Sequence, residues 1–249
     1  MLIIDASPPS VSGFLTPAIL ATRLATKLNF WYSADQLNVI DGLVAGATDL
    51  TGNGRNGFAT NVADRLTYYA SDSVFGGRPS FGSETDGGLR RLEAPVGLTY
   101  RHQIFSCRYL NGTVSTWQGT NLQAISAGTG TGGLPRIRSS NPGASQLVTT
   151  NQFTSTLSRG GRPQSNTVLP MPPSPYTATA SSNLTFNLRI GGSAISNQVF
   201  TGAFRHFIGA NQLLSQSEIE LIEGVIAWDD GTQSQLINTH PYFLNRPLA

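Results

Sequence analysis

Lysine is nearly absent from this chain: Lys27 is its only one, so arginine makes up the rest of the 16 basic residues. Arginine's planar fork pairs with carboxylates in two-point contacts and suits interfaces, although a biased genome composition produces the same preference. Charge of either sign is scarce, at 12% of residues, about half the usual globular share. With 16 basic against 14 acidic residues the net charge is only +2, and no basic stripe marks a nucleic-acid partner. Cys107 is the lone cysteine, which excludes an internal disulfide and a thiolate metal cluster. No stretch approaches the roughly 20 apolar residues of a membrane-inserted helix. The opening MLIIDASPPS has neither a basic n-region nor a long apolar run, so folding in a cytoplasm is expected.

Turn formers are abundant. The 27 glycines and 14 prolines supply reversals between short strands, and 39% hydrophobic residues leave material for a core. One large all-β domain is the expectation, with residues 1–27 as an arm and short helix and residues 28–249 as the β-domain. The lead-in breaks at Pro8 and Pro9. Thr16-Pro17 then offers an N-cap and a proline at the first helical position, and Ile19, Leu20, Leu24 and Leu28 carry helical spacing to about Lys27.

Strand periodicity starts at Leu28, with Phe30 and Tyr32 on one face and Trp31 on the other. It returns over Leu184–Gly192 and Val199–Ala210, while aromatic and β-branched content favours strand over Thr99–Tyr109 and Leu147–Leu157. Residues 119–145 read as turns around short strands. The segment 167–182 holds four prolines between Leu169 and Tyr176, which predicts a surface excursion rather than a central strand. Near the end, Ser215 and Glu218 have capping-box spacing, and Ile219, Ile222 and Ile226 mark a helical apolar stripe.

Three stretches resemble the concanavalin A-like, laminin-G-type β-sandwiches of bacteriophage and bacterial surface proteins. They are DLTGNGRNGFAT (Asp49–Thr60), GGRPSFGSETDGGLRRL (Gly76–Leu92) and the final strand, helix and HPY over Phe200–Tyr242. In the first, Gly52, Gly54 and Gly57 are expected at positive φ, with Asp49 and Asn53 bonding the backbone. The resemblance implies a jelly-roll sandwich with a short N-terminal helix and a C-terminal helix. It also implies core roles for Trp31 and Trp228.

Candidate chemistry is sparse. Glu218, Glu220 and Glu223 mimic a glucanase acid motif, but helical spacing predicts a solvated helix face. Asp49, Thr51 and Asn53 begin like a calcium loop whose twelfth position is Thr60 instead of Glu, and Asp35 and Asp41 are further candidate ligands. His102, His206 and His240 have no zinc spacing, and GTGTGG (Gly128–Gly133) lacks a P-loop ending. Trp117, in a polar context, is the candidate platform for a sugar ring or a partner. No catalytic, cofactor-binding or metal residue is assigned and no cofactor is expected.

The expectation is a non-enzymatic bacteriophage virion protein, a head decoration or fibre or a tail-associated component, assembled in the bacterial host cytoplasm. Its partners would be other virion proteins, copies of itself and host-surface polysaccharide. A carbohydrate-binding adhesin module is the alternative, and a polysaccharide depolymerase a more distant one.

Overall fold

The computed structural model describes residues 13–84, 89–109, 124–128, 136–139, 147–150, 156–164, 172–192 and 198–249. Trp117, the arm over residues 1–12 and most of the GTGTGG run lie outside them.

The described strands are β1 (Leu28–Ser33), β2 (Leu37–Ile40), β3 (Leu43–Ala47), β4 (Gly57–Phe58), β5 (Thr67–Asp72), β6 (Arg78–Ser83), β7 (Leu92–Glu93) and β8 (Thr99–Tyr109). They continue as β9 (Ala124–Gly128), β10 (Arg136–Ser139), β11 (Leu147–Thr150), β12 (Thr156–Arg159), β13 (Arg162–Gln164), β14 (Ser174–Thr185), β15 (Leu188–Ile190) and β16 (Gly202–Ala210). Two α-helices flank them, α1 (Pro17–Arg23) and α2 (Gln216–Asp230). The ladder runs β11-β10-β9-β15-β7-β4-β3-β5-β6-β16-β8-β14-β12-β13, with β1 also on β16 and β2 on β3. Neighbouring strands are antiparallel throughout, an all-β-dominated architecture compatible with a β-sandwich. Neither α-helix is long and apolar enough to cross a membrane.

The alternation at β1 decides where the core sits. Phe30 and Tyr32 enter the main cluster with Phe81, Phe105, Tyr176, Phe204 and Phe207. Trp31 faces the other way, into a second cluster with Ile104, Ile208, Leu20 of α1 and Ile222 and Ile226 of α2. The sheet at β1, β16 and β8 is therefore buried on both faces, one by other strands and one by the two helices. This is why every β1 residue is buried.

Local signals hold at the helix starts. Thr16 accepts the Ile19 N–H, and Ser215 and Glu218 form the full capping box. The first helix is shorter than its spacing predicts: Leu24 leaves helical geometry, and Lys27 and Leu28 N–H groups bond back to its carbonyl in a closing turn.

Three expectations need correction. Pro175 does lie in an internal strand, since β14 pairs with both β8 and β12. The ladder tolerates it because Pro175 is the second residue of β14, where its carbonyl still accepts the Gly160 N–H, and Tyr176 beside it is fully buried. Residues 167–171 of that segment lie outside the described region.

Gly57 does not have positive φ, unlike Gly52 and Gly54. It is glycine for space: a Cβ there would stand 3.1 Å from the Tyr32 ring and 3.2 Å from Leu92.

Strict alternation also fails in β8 and β16. Tyr100 joins Phe105 in the main cluster, and Phe204 shares it with Phe207. In β16 the cause is a register shift opposite β8, where Phe204 pairs with Cys107 and His206 with Ser106, leaving Arg205 as the extra residue of a bulge.

Candidate functional site

That bulge puts two consecutive side chains, Arg205 and His206, against the end of α2. The helix finishes with Asp229 and Asp230 and has no basic residue in its last turn. Carboxylates there oppose the helix dipole, so they need external cations. Arg205, fully buried, supplies one: its Nη2 lies 2.6 Å from Asp229 and 2.6 Å from Asp35, and its Nη1 donates to the Pro79 carbonyl at 3.0 Å. Its Nε stands 3.0 Å from Asp230, an ion-pair approach without hydrogen-bond alignment. Arg78 reaches the other oxygen of Asp229 at 3.1 Å.

His206 completes the cluster. The Trp31 indole N–H donates to its Nδ1 at 3.2 Å, so Nε2 carries the proton that faces Asp229 at 3.1 Å and Asp230 at 3.3 Å. Burial alone would lower the imidazole's pKa, but the Asp230 and Asp229 carboxylates outweigh it and raise it. For Asp229, burial pushes upward, and His206 with Arg205 reverses this and holds the carboxyl well below its usual range.

Among the described residues, His206, Asp229 and Asp230 are the one group of three His, Cys, Asp or Glu side chains close enough to hold a cation. Arg205 already occupies that position. With Arg78 it balances most of the charge of Asp35, Asp229 and Asp230, so a divalent ion would have to displace a guanidinium held at 2.6 Å. The cluster pins β16, the segment after β1 and the end of α2 together. No protein-family model, curated protein or solved structure matches this chain. Its site chemistry rests on its own residues.

Of the candidate calcium ligands, Asp49 and Asp35 are employed elsewhere. Asp49 is buried and accepts from the backbone N–H groups of Trp31, Thr51 and Arg55 as well as the Thr51 hydroxyl. It is a turn-former, as its Asx pattern indicates. Asp35 is bound to Arg205, and Asp41 is exposed at the β2–β3 turn with φ of 53°.

The three glutamates of α2 part company. Glu218 caps the helix and binds Lys27 at 2.6 Å, and that ammonium lowers its pKa. Glu220 accepts from Gln216 one turn earlier. Glu223 corrects the expectation of a solvated face, because it is fully buried against β12 and β14. Its Oε1 accepts from the Thr177 hydroxyl at 2.6 Å and the Ser158 hydroxyl at 3.4 Å. Its Oε2 lies 3.5 Å from His240 Nε2, beyond a well-formed hydrogen bond, while His240 Nδ1 accepts the Tyr242 N–H.

His102 is a structural histidine: its Nε2 accepts the Leu214 N–H at 2.9 Å, so Nδ1 carries the proton and donates to Thr179 at 3.0 Å. Trp31 is fully buried, whereas Trp228 is half-buried and donates to the Tyr242 carbonyl. The charged cluster escaped sequence reasoning. Its one legible signal is the Asp229-Asp230 pair at a helix C-terminus with no local cation.

Proposed function

We propose that this chain is a non-enzymatic structural protein of a bacteriophage virion, a concanavalin A-like jelly roll acting through contacts with neighbouring virion proteins and copies of itself. The observation that carries this reading is the joining of residues 13–15 to residues 247–249. Phe14 and Leu248 form an antiparallel bridge, and the Leu15 and Ala249 N–H groups bond to the Pro247 and Gly13 carbonyls across it. Phe14 is 53% exposed and Leu248 66%, with Arg246 over the Phe14 ring at 4.8 Å. An ordered pair of apolar side chains held outward, rimmed by an arginine, is the composition of an interface patch.

The chemistry of the interior agrees with a framework role, since its most charged cluster is spent on joining elements. The resemblance in the Asp49–Thr60 turn and the Phe200–Tyr242 run supplies the virion context. Adhesion to host-surface polysaccharide through Trp117 is part of the same proposal and rests on sequence alone.

Mass spectrometry of gradient-purified particles from the source culture tests it. Co-sedimentation of this polypeptide in stoichiometric amounts through a salt wash is the expected result. Its absence from particles would overturn the reading.

A further inference from the structure

The cavity where β6 ends beside β5 is independent of that reading. It has a volume of about 220 Å³, below the range of drug-sized pockets, and is lined by Thr67, Tyr69, Ser83, Glu84 and Arg90. Alternation puts Thr67 and Tyr69 on the side of β5 opposite Tyr68, which packs on the main core cluster. Thr67 pairs with Gly82, so Glu84, two residues further on, returns to the side that Thr67 and Tyr69 share. The Glu84 carboxylate is felt there: burial, and after it Glu84, push the Tyr69 phenol up to about 12.

Two opposite charges thus line one small cavity without neutralising each other. Among the described residues no ion pair joins Glu84 to Arg90, or either of them to another charged side chain, because their charged neighbours are committed elsewhere. Arg91 is held by Asp64 and Glu93, Arg189 by Glu93, and Arg108 by Asp72. Arg90 donates from Nη1 to the Arg65 carbonyl at 2.9 Å, which leaves most of its fork of donors unspent. Both groups can be reached from solvent, since Glu84 is exposed and Arg90 half-buried. A lone cation here would satisfy Glu84 but be repelled by the guanidinium, and a lone anion would meet the reverse. A molecule that carries both charges meets both walls.

We propose that this cavity binds a small zwitterion of amino-acid size, its ammonium on Glu84 and its carboxylate on Arg90.

NMR titration of the full chain, following the Thr67, Tyr69, Glu84 and Arg90 amides, is the test. The probes are γ-aminobutyrate, α-aminobutyrate, butyrate, n-butylammonium, n-butanol and glucose. At least one of the two zwitterions should bind saturably at about millimolar concentration. Butyrate and n-butylammonium should each bind about fivefold more weakly, the scale of one half-exposed charge contact, and n-butanol and glucose more weakly still. Glu84→Gln should remove the zwitterion's advantage over butyrate, and Arg90→Gln its advantage over n-butylammonium. Comparing the four-carbon probes asks the same question of the unaltered chain, so the test does not depend on a variant folding. No saturable zwitterion binding, a singly charged probe or glucose binding as tightly, or an undiminished advantage in a folded variant would overturn the inference.

Discussion

The guanidinium of Arg205 lies 2.6 Å from Asp229 and 2.6 Å from Asp35, so one fully buried cation ties the end of α2 to the segment after β1. Arg205→Met would leave Asp229 and Asp230 buried without their main counter-charge. Loss of one partner from a buried ion pair costs on the order of 3–5 kcal/mol. Urea unfolding should show this as a lower midpoint with an unchanged slope. Arg205→Lys should recover only part of the loss, because an ammonium cannot span Asp35, Asp229 and Asp230 as the fork does.

His102 predicts an acid limb of instability. Burial, aided by Arg101, lowers its pKa to about 4, against 6.5 for the free side chain. The unfolded state therefore binds the proton more readily, and the stability His102 contributes is present above pH 6.5 and lost as pH falls towards 4. The amount is about 3 kcal/mol. Protonation would also set an Nε2 proton against the Leu214 N–H. Melting temperature against pH checks this, and His102→Gln should flatten that window.

The charged cluster titrates elsewhere. Asp229, with its depressed pKa, adds stability that is lost only as pH falls through the carboxylate range. His206 has the opposite sign: the Asp230 and Asp229 carboxylates raise its pKa and give stability present in acid and lost as pH rises through the folded value, net of the Trp31 bond to Nδ1 that the protonated ring gives up. Histidine Cε1–H shifts should therefore titrate in the order His102 below His206.

Gly57→Ala and Gly52→Ala separate two reasons for glycine. At Gly57 the new methyl meets Tyr32 and Leu92, an overpacking cost of about 1–3 kcal/mol. At Gly52 nothing lies within 4 Å, and the cost is backbone strain at φ of 80°, about 1 kcal/mol. Calorimetric unfolding of both variants should place Gly57→Ala as the more damaging.

Phe14→Ser with Leu248→Ser should leave the melting temperature nearly unchanged, since both side chains are mostly exposed. The same double variant should reduce self-association in sedimentation velocity. Unaltered association would remove this patch from the assembly surface.

Much of the strand content and both helix starts were legible in the sequence because they rest on local chemistry. Thr16 and Ser215 find their partners three residues away, and Asp49 bonds Thr51 and Arg55 within its own turn. Period-two alternation likewise divided Phe30 and Tyr32 from Trp31. Tertiary structure decided the rest. The bulge at Arg205 depends on register against β8, the place of Pro175 depends on strands to either side, and Glu223 is buried because β12 and β14 cover its flank. The physical reason is range: a cap or turn is satisfied within a few residues, whereas the cost of burying a charge is set by partners as distant in the chain as Arg205 and Asp35.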